Sequence, residues 1–155
     1  MKNNLLIGQI SDTHFVSNNQ KLFDKHDTHE RLLDIVKTCN QLNDKPDFYI
    51  FSGDLIHDDE SYYKDFFEIC HKLERPIYPM MGNHDKRDFL KKYVKNNLID
   101  NQGYLNYTVS SEILEIICLD TAIEDQIEGN INPTSMEWLE NMLKKSDGKP
   151  VIIFM

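Results

Sequence analysis

The hydrophobic residues of this chain fall into short runs that are separated by longer segments with a helical period. Runs such as FYIFS have strand length and are followed by residues that favour turns. The predicted strands cover residues 5–11, 48–52, 77–81, 104–109, 112–119 and 151–155. Because only Ser110 and Ser111 separate the fourth run from the fifth, these two are predicted to form an antiparallel hairpin.

The segments between the runs carry apolar residues on one face and are predicted to be helices. They cover 27 to about 42, 60–73, 86–95 and 133 to about 148. The first and last begin with candidate capping boxes, Asp27 with Glu30 and Thr134 with Glu137. Strands that alternate with helices are typical of β-α-β units, so we predict an α/β fold with a mixed sheet flanked by helices, in one domain over residues 1–155.

The charge balance limits the classes of partner. Acidic residues outnumber basic ones 26 to 17, for a formal net charge of −9. Binding to a nucleic-acid polymer is not expected, because that affinity comes from clustered cations that displace counterions. A small anionic substrate would need positive charge from another source, and a bound metal ion is one such source.

The cysteines and the N-terminus indicate a cytoplasmic protein. Cys39, Cys70 and Cys118 are far apart and show no CxxC spacing, which favours buried, reduced thiols. The N-terminal segment has neither the apolar length nor the charge pattern of a signal peptide, and no segment approaches the length of a membrane span. We therefore expect no membrane association.

Polar residues follow three of the predicted strands in the same way. Asp12 and His14 follow the first strand, Asp54 the second and Asn83 the third. The carboxyl ends of parallel strands share one edge of a sheet, so these side chains are expected to converge. Taken singly, each of these residues is also common in ordinary turns. Together they offer oxygen and imidazole ligands that suit Mn, Fe, Zn or Mg.

Two divalent ions at this edge would explain how an acidic chain acts on a phosphoester. Such a pair clamps the phosphate, generates hydroxide from water and stabilises the leaving oxygen. His84, next to the presumed ligand Asn83, is the candidate proton donor to the leaving group, and Asp85 is the candidate partner that fixes its tautomer. The sequence therefore gives His84 and Asp85 as candidate catalytic residues.

The same residues resemble the signature of the calcineurin-like metallophosphoesterases. That signature is D-x-H, then G-D, then G-N-H-[DE], and here it stands as residues 12–14, 53–54 and 82–85. The segments GDLIHDD and RPIYPMMGNHDKR are most similar to those of class III cyclic-nucleotide phosphodiesterases and their glycerophosphodiesterase relatives. His57 stands where purple acid phosphatases have a tyrosine, so that subgroup fits less well.

The resemblance implies a fold, a metal centre and a reaction. The fold would be the N-terminal part of a four-layer α/β/β/α sandwich. Asp12 and His14 would bind the first metal, Asp54 would bridge the two and Asn83 would bind the second. The reaction would be hydrolysis of a phosphodiester, such as a cyclic nucleotide, by a metal-bound hydroxide. His57 and Asp58 are expected near the site.

The two later histidine motifs of the family do not occur in this sequence. The resemblance thus predicts a domain incomplete at its C-terminus, with impaired binding of the second metal. The alternative to a phosphodiesterase is a catalytically weak or silent metal-binding or assembly module of the same fold. Without the remaining part of the fold, runs 48–52 and 77–81 would each have a bare face. We therefore expect a homo-oligomer that forms through an exposed sheet face.

Overall fold

Two three-stranded sheets form the centre of the computed structural model, which describes residues 4–17 and 20–155. In the first sheet β1 (Ile7–Ile10), β2 (Phe48–Phe51) and β3 (Ile77–Pro79) are parallel, in the order β1-β2-β3. In the second sheet β5 (Glu115–Cys118) lies between β4 (Tyr107–Ser110) and β6 (Val151–Phe154). The β4–β5 pair is antiparallel, which confirms the predicted hairpin, and β6 is parallel to β5.

The helices connect the strands as predicted, with some differences in length. They are α1 (Thr28–Gln41), α2 (Tyr63–Cys70), α3 (Arg87–Leu90) and α4 (Pro133–Lys145). A 3₁₀ turn at Glu60–Tyr62 precedes α2 and another lies at Asn96–Leu98. The α3 helix is a single turn rather than the predicted ten residues.

Side-chain caps define the starts of the two long helices. The Asp27 carboxylate accepts a hydrogen bond from Glu30 N at 3.0 Å, which confirms Asp27 as the cap of α1. The cap predicted for α4 is wrong. Asn132, rather than Thr134, accepts the hydrogen bond from Ser135 N at 2.9 Å, because Pro133 takes the first helical position.

Strand β2 is covered on both faces. Tyr49 and Phe51 pack against α1 and α2, whereas Phe48 and Ile50 pack against residues of the second sheet such as Tyr107. All four residues of β2 are buried. The expected bare face of run 48–52 is therefore wrong, because β4, β5 and β6 lie over it. The polar loop that follows β2 therefore begins from a strand that is buried on both faces.

Incompletely buried apolar residues lie instead on α4 and β6. Trp138 and Met142 of α4 are only half-buried, although the helical pattern predicts a buried face. Ile152 and Ile153 of β6 are 40% and 39% exposed. Among residues 4–17 and 20–155, no helix is long and apolar enough to cross a bilayer.

Candidate metal and catalytic site

Three loops meet at the carboxyl ends of β1, β2 and β3. The pairing of β1 with β2 continues past the strands, through hydrogen bonds from Asp12 N to Gly53 O at 3.2 Å and from His14 N to Asp54 O at 2.9 Å. An isolated bridge between Phe15 and Ile56 extends it further. The first two polar motifs are therefore held side by side by backbone hydrogen bonds, as the parallel-sheet argument predicts.

The backbone is left-handed at the residues that carry the site. The φ angles are 53° at Asp12, 38° at His14, 50° at Asp54 and 62° at Asp58. Such values are uncommon outside glycine, cost of order 1 kcal/mol or more each, and cluster at functional sites. The surrounding hydrogen bonds thus hold these side chains in directions that an extended strand would not give them.

Asp54 lies at the centre of the site. Its Oδ1 accepts a hydrogen bond from His84 N at 3.1 Å, and its Oδ2 is 3.6 Å from His14 Nε2. One ligand atom from each of Asp12, His14 and Asp54 lies within 4.8 Å of the others. Asn83 lines the same cavity of about 190 Å³ as Asp12 and Asp54. All four residues predicted as metal ligands are therefore brought to one place.

Glycines allow the loops to approach this closely. A Cβ atom added to Gly82 would lie 2.2 Å from both the backbone N and the Oδ1 of Asp54. Gly53 has a φ of +98°, and an added Cβ there would be 2.8 Å from Met81 O. Gly82 and Gly53 therefore permit the GNHD and GD loops to pack against one another, which brings Asn83 beside Asp54.

The donor set fits divalent metal ions. Asp12, His14 and Asp54 form one compact group of two carboxylates and an imidazole, and Asn83 lines the same cavity as Asp12 and Asp54. This oxygen-rich mixture suits hard or borderline ions. Asp54 belongs to the compact group and also lines the cavity with Asn83.

His84 has a different carboxylate partner from the one predicted. Its Nδ1 is 2.8 Å from Oδ1 of Asp58, and its ring stacks on His57 with 4.9 Å between centroids. The assignment of Asp85 as the residue that fixes the His84 tautomer is therefore wrong. Burial raises the pKa of Asp58, but the hydrogen bond and charge of His84, together with His57 and Lys86, outweigh it and lower that pKa overall.

Asp85 is instead a buried anchor for the loops. It is fully buried. Its Oδ2 accepts hydrogen bonds from Gly82 N and Leu55 N, and its Oδ1 accepts from Tyr63 Oη at 3.0 Å. Burial raises the pKa of Asp85 to about 6, although these hydrogen bonds oppose the change. Asp85 therefore holds the GNHD loop to the GD loop and to the start of α2.

Residues that the sequence did not single out complete the site. Tyr63 lies in the predicted helix 60–73, and its hydroxyl both donates to Asp85 and accepts from Lys86 N at 2.8 Å. His26 and Arg31 line a cavity of about 330 Å³ together with Asp12 and His14. His26 precedes the first predicted helix, and its loop position is the one sequence signal that could have placed it at the edge of the site.

Two comparisons of sequence relate the chain to phosphoesterases. The family described as calcineurin-like phosphoesterase matches residues 5–155. The chain is 31% identical over 153 residues to a probable glycerophosphodiester phosphodiesterase of Arcobacter nitrofigilis, covering 97% of this chain and 56% of the relative. It is 30% identical over 149 residues to a probable cyclic nucleotide phosphodiesterase of Rhodopseudomonas palustris, covering 94% and 54%. The chain thus spans about half the length of these curated relatives.

A solved structure shares the fold. A dimetal phosphatase from Danio rerio superimposes with a TM-score of 0.73 at 15% identity, over 97% of this chain and 68% of that one. At this identity the likeness concerns the fold alone. With the family match over residues 5–155 and the three motifs at the ends of β1, β2 and β3, this chain belongs to the calcineurin-like phosphoesterase family.

Proposed function

We propose that this chain carries the metal-binding core of a phosphodiesterase that acts on a small phosphodiester, such as a cyclic nucleotide or a glycerophosphodiester. The observation that carries the proposal is the grouping of Asp12, His14 and Asp54, with Asn83 lining the same cavity as the two carboxylates, beside the His84–Asp58 pair. The printed names of the relatives from Arcobacter and Rhodopseudomonas support a diester as the substrate class.

The proposed cofactors are two divalent ions, with Mn, Fe, Zn and Mg as the candidates. Asp12 and His14 would hold the first ion, Asp54 would contact both and Asn83 would contact the second. When bound, such ions supply the positive charge that binds a phosphate and lowers the pKa of a water. This charge would offset the carboxylates around the site, which otherwise repel an anion.

His84 is proposed to hold the proton for the leaving group. Because its Nδ1 is hydrogen-bonded to Asp58, its Nε2 is free to carry a proton toward the substrate. Asp58, with its lowered pKa, is a carboxylate at neutral pH and stabilises a protonated His84. Asp85 is proposed to act only by positioning the GNHD loop, through the hydrogen bond from Gly82 N.

The cavity beside Asp12 and His14 is proposed to receive the remainder of the diester. It is lined by Arg31 and His26, which lie 3.4 Å apart and are cationic or potentially cationic. These groups favour a substrate that carries a further polar or anionic group next to the scissile phosphate. The cavity thus offers a reason for selecting a diester rather than a small monoester.

Manganese-dependent cleavage of bis-p-nitrophenyl phosphate tests the proposal. We expect metal-dependent release of nitrophenolate, and a loss of at least about 100-fold for Asp54→Asn, because Asp54 contacts both ions. Asp34→Asn, on the exposed side of α1, is the matched control and should retain the activity. Equilibrium dialysis with manganese is run on the same samples.

The alternative is a weak or silent metal-binding module of the same fold. The observation in its favour is that only Asp54 and Asn83 are proposed to hold the second ion, whereas Asp12, His14 and Asp54 are grouped around the first. Manganese binding that depends on Asp54, without any turnover, would favour this alternative. If the folded chain binds no manganese, both the phosphodiesterase proposal and the metal-binding-module alternative are wrong.

Self-association and a cytoplasmic location remain proposals. We place the self-associating surface on β6 and α4, because the bare face expected on the first sheet is covered. In the described part of the chain β6 pairs only with β5, and Ile152 and Ile153 are partly exposed. Sedimentation velocity should give a mass above 18.3 kDa that Ile153→Lys reduces to that of one chain. The three free cysteines agree with a reducing compartment.

A further inference from the structure

Three histidine rings form a second group of potential ligands beside the carboxylates. One nitrogen from each of His14, His57 and His84 lies within 4.8 Å of the others. The His14 and His57 Nδ1 atoms are 3.4 Å apart. The ring centroids of His14 and His84 are 4.8 Å apart. The three rings come from three different loops, so only the fold brings them together.

His14 belongs to both groups but presents a different nitrogen to each. Its Nε2 faces Asp54 Oδ2 at 3.6 Å, whereas its Nδ1 faces His57. The imidazole group therefore lies on the opposite side of the His14 ring from the carboxylate group. An ion among the three rings would not occupy the position between Asp12 and Asp54.

We propose that His14, His57 and His84 form a separate binding site for a zinc-like ion. Zinc bonds imidazole nitrogens at about 2.0–2.1 Å, and a tetrahedral site then places two nitrogens about 3.4 Å apart. The His14–His57 separation already has this value. His84 completes the site by rotating about its side-chain torsions. An all-imidazole set selects Zn²⁺, Co²⁺, Ni²⁺ or Cu²⁺ over Mn²⁺ and Mg²⁺.

Asp58 lies next to two of the three histidine rings. Its Oδ1 is 2.8 Å from His84 Nδ1, and its Oδ2 is 3.8 Å from His57 Nε2. Both contacts involve the nitrogen that would not bind the ion, which leaves His84 Nε2 and His57 Nδ1 available. Histidine ligands of metals commonly donate their second N–H to a carboxylate, which fixes the tautomer and ring direction. Asp58 is hydrogen-bonded in this way to His84 and lies close to the corresponding nitrogen of His57.

Ions at the two sites would compete through His14. A neutral imidazole has a single nitrogen lone pair, so an ion on Nδ1 leaves Nε2 protonated and unable to bind a second ion. An ion in the three-histidine site would also occupy His84 Nε2. Resting on the proposed function, in which His84 carries the leaving-group proton, such an ion acts as an inhibitor of hydrolysis.

Visible absorption of Co²⁺ on the full chain tests the site without relying on activity. Tetrahedral Co²⁺ absorbs far more strongly than six-coordinate Co²⁺, and Zn²⁺ should displace it. We expect Asp54→Ala to keep the tetrahedral band. His57→Ala should lose the band or weaken Co²⁺ affinity at least tenfold, and His71→Ala, on the exposed end of α2, should match the wild type.

Manganese binding by the same variants separates the two sites. His57→Ala should still bind Mn²⁺ at the carboxylate group, which also shows that the variant is folded, whereas Asp54→Ala should not. A band that survives His57→Ala with unchanged Co²⁺ affinity, or one that disappears in Asp54→Ala, overturns the inference. Absence of diester cleavage would refute the proposed function and leave these spectra unchanged.

Discussion

At the scale of single residues, the buried carboxylate of Asp85 shows how one side chain organises the site without touching its cavity. Its oxygens accept hydrogen bonds from the backbone N–H groups of Gly82, Leu55 and Ile56 and from the Tyr63 hydroxyl. These donors belong to the loops after β2 and β3 and to the start of α2. Asp85 is therefore the shared fixed point of the elements that carry Asp54, Asn83 and His84.

Replacing Asp85 by alanine should destabilise the fold strongly. The change leaves the buried N–H groups of Leu55 and Ile56 and the partly buried N–H of Gly82 without their acceptor, and each unsatisfied buried group costs about 1–3 kcal/mol. We expect the free energy of unfolding to fall by about 3 kcal/mol or more in urea titrations at pH 7. Asp88→Ala, in the exposed turn of α3, should change it by less than about 0.5 kcal/mol. A loss below 1 kcal/mol for Asp85→Ala would contradict the anchoring role.

The pKa of Asp85 adds a pH dependence of defined sign. Burial raises this pKa to about 6 in the folded chain, above the usual value near 4 for an unfolded chain. The folded state thus binds this proton more tightly, so the contribution of Asp85 to stability is largest below pH 4 and falls as the pH rises to 6. Urea titrations at pH 4.5 and 7 should show that Asp85→Asn removes this pH-dependent part of the free energy of unfolding. A pH dependence that Asp85→Asn leaves unchanged would contradict the raised pKa.

At the scale of elements, the site depends on two loops that pack backbone to backbone. Gly82, after β3, lies against the backbone and carboxylate of Asp54, after β2. The start of α3 is held to the residue after β5 by side chains, since Arg87 donates two hydrogen bonds to the buried Asp120, at 2.9 and 3.0 Å. The loops are therefore fixed by neighbouring elements rather than by their own sequence.

Gly82→Ala should weaken both folding and metal binding. The added Cβ would overlap the backbone N of Asp54 at 2.2 Å, so the GD loop must move. We expect about 2 kcal/mol of destabilisation from this overlap and at least a tenfold loss of manganese affinity, measured by urea titration and equilibrium dialysis.

Gly148→Ala is the matched control for this change. Gly148 also has a positive φ, of +80°, but an added Cβ meets no atom within 4 Å. In Gly148→Ala the free energy of unfolding should fall by about 1 kcal/mol because of backbone strain, and the manganese affinity should stay that of the wild type. Equal manganese affinities for Gly82→Ala and the wild type would show that the packing of the two loops does not position Asp54.

The sequence predicted which elements bring ligands together, but not how the loops are held. Asp12, His14, Asp54 and Asn83 were visible because each follows an apolar run, and parallel pairing forces those ends to one edge. The partner of His84 was not visible. Asp58 reaches His84 only because a left-handed residue turns the chain there, whereas adjacency in sequence favoured Asp85. The role of Tyr63 was hidden because its ring is also core.

At the scale of the whole molecule, the second sheet decides which surfaces are buried. Run 48–52 was expected to have a bare face, yet β4 and β5 cover its Phe48 and Ile50 with Tyr107, Ile116 and Cys118. Periodicity predicts which residues of a strand share a face but not which distant strand covers that face. The assignment of residues 1–155 to one domain stays a prediction. The net charge of −9 makes a bound cation the natural complement of the site.

Anomalous scattering from crystals of this chain grown with Mn²⁺ tests whether Asp12, His14 and Asp54 bind a metal ion. We predict a manganese peak within ligand distance of His14 Nε2 and of the Asp12 and Asp54 carboxylates, and the loss of that peak in Asp54→Asn. A structure with the described fold but no peak beside Asp54, or with manganese bound only elsewhere, would contradict the account.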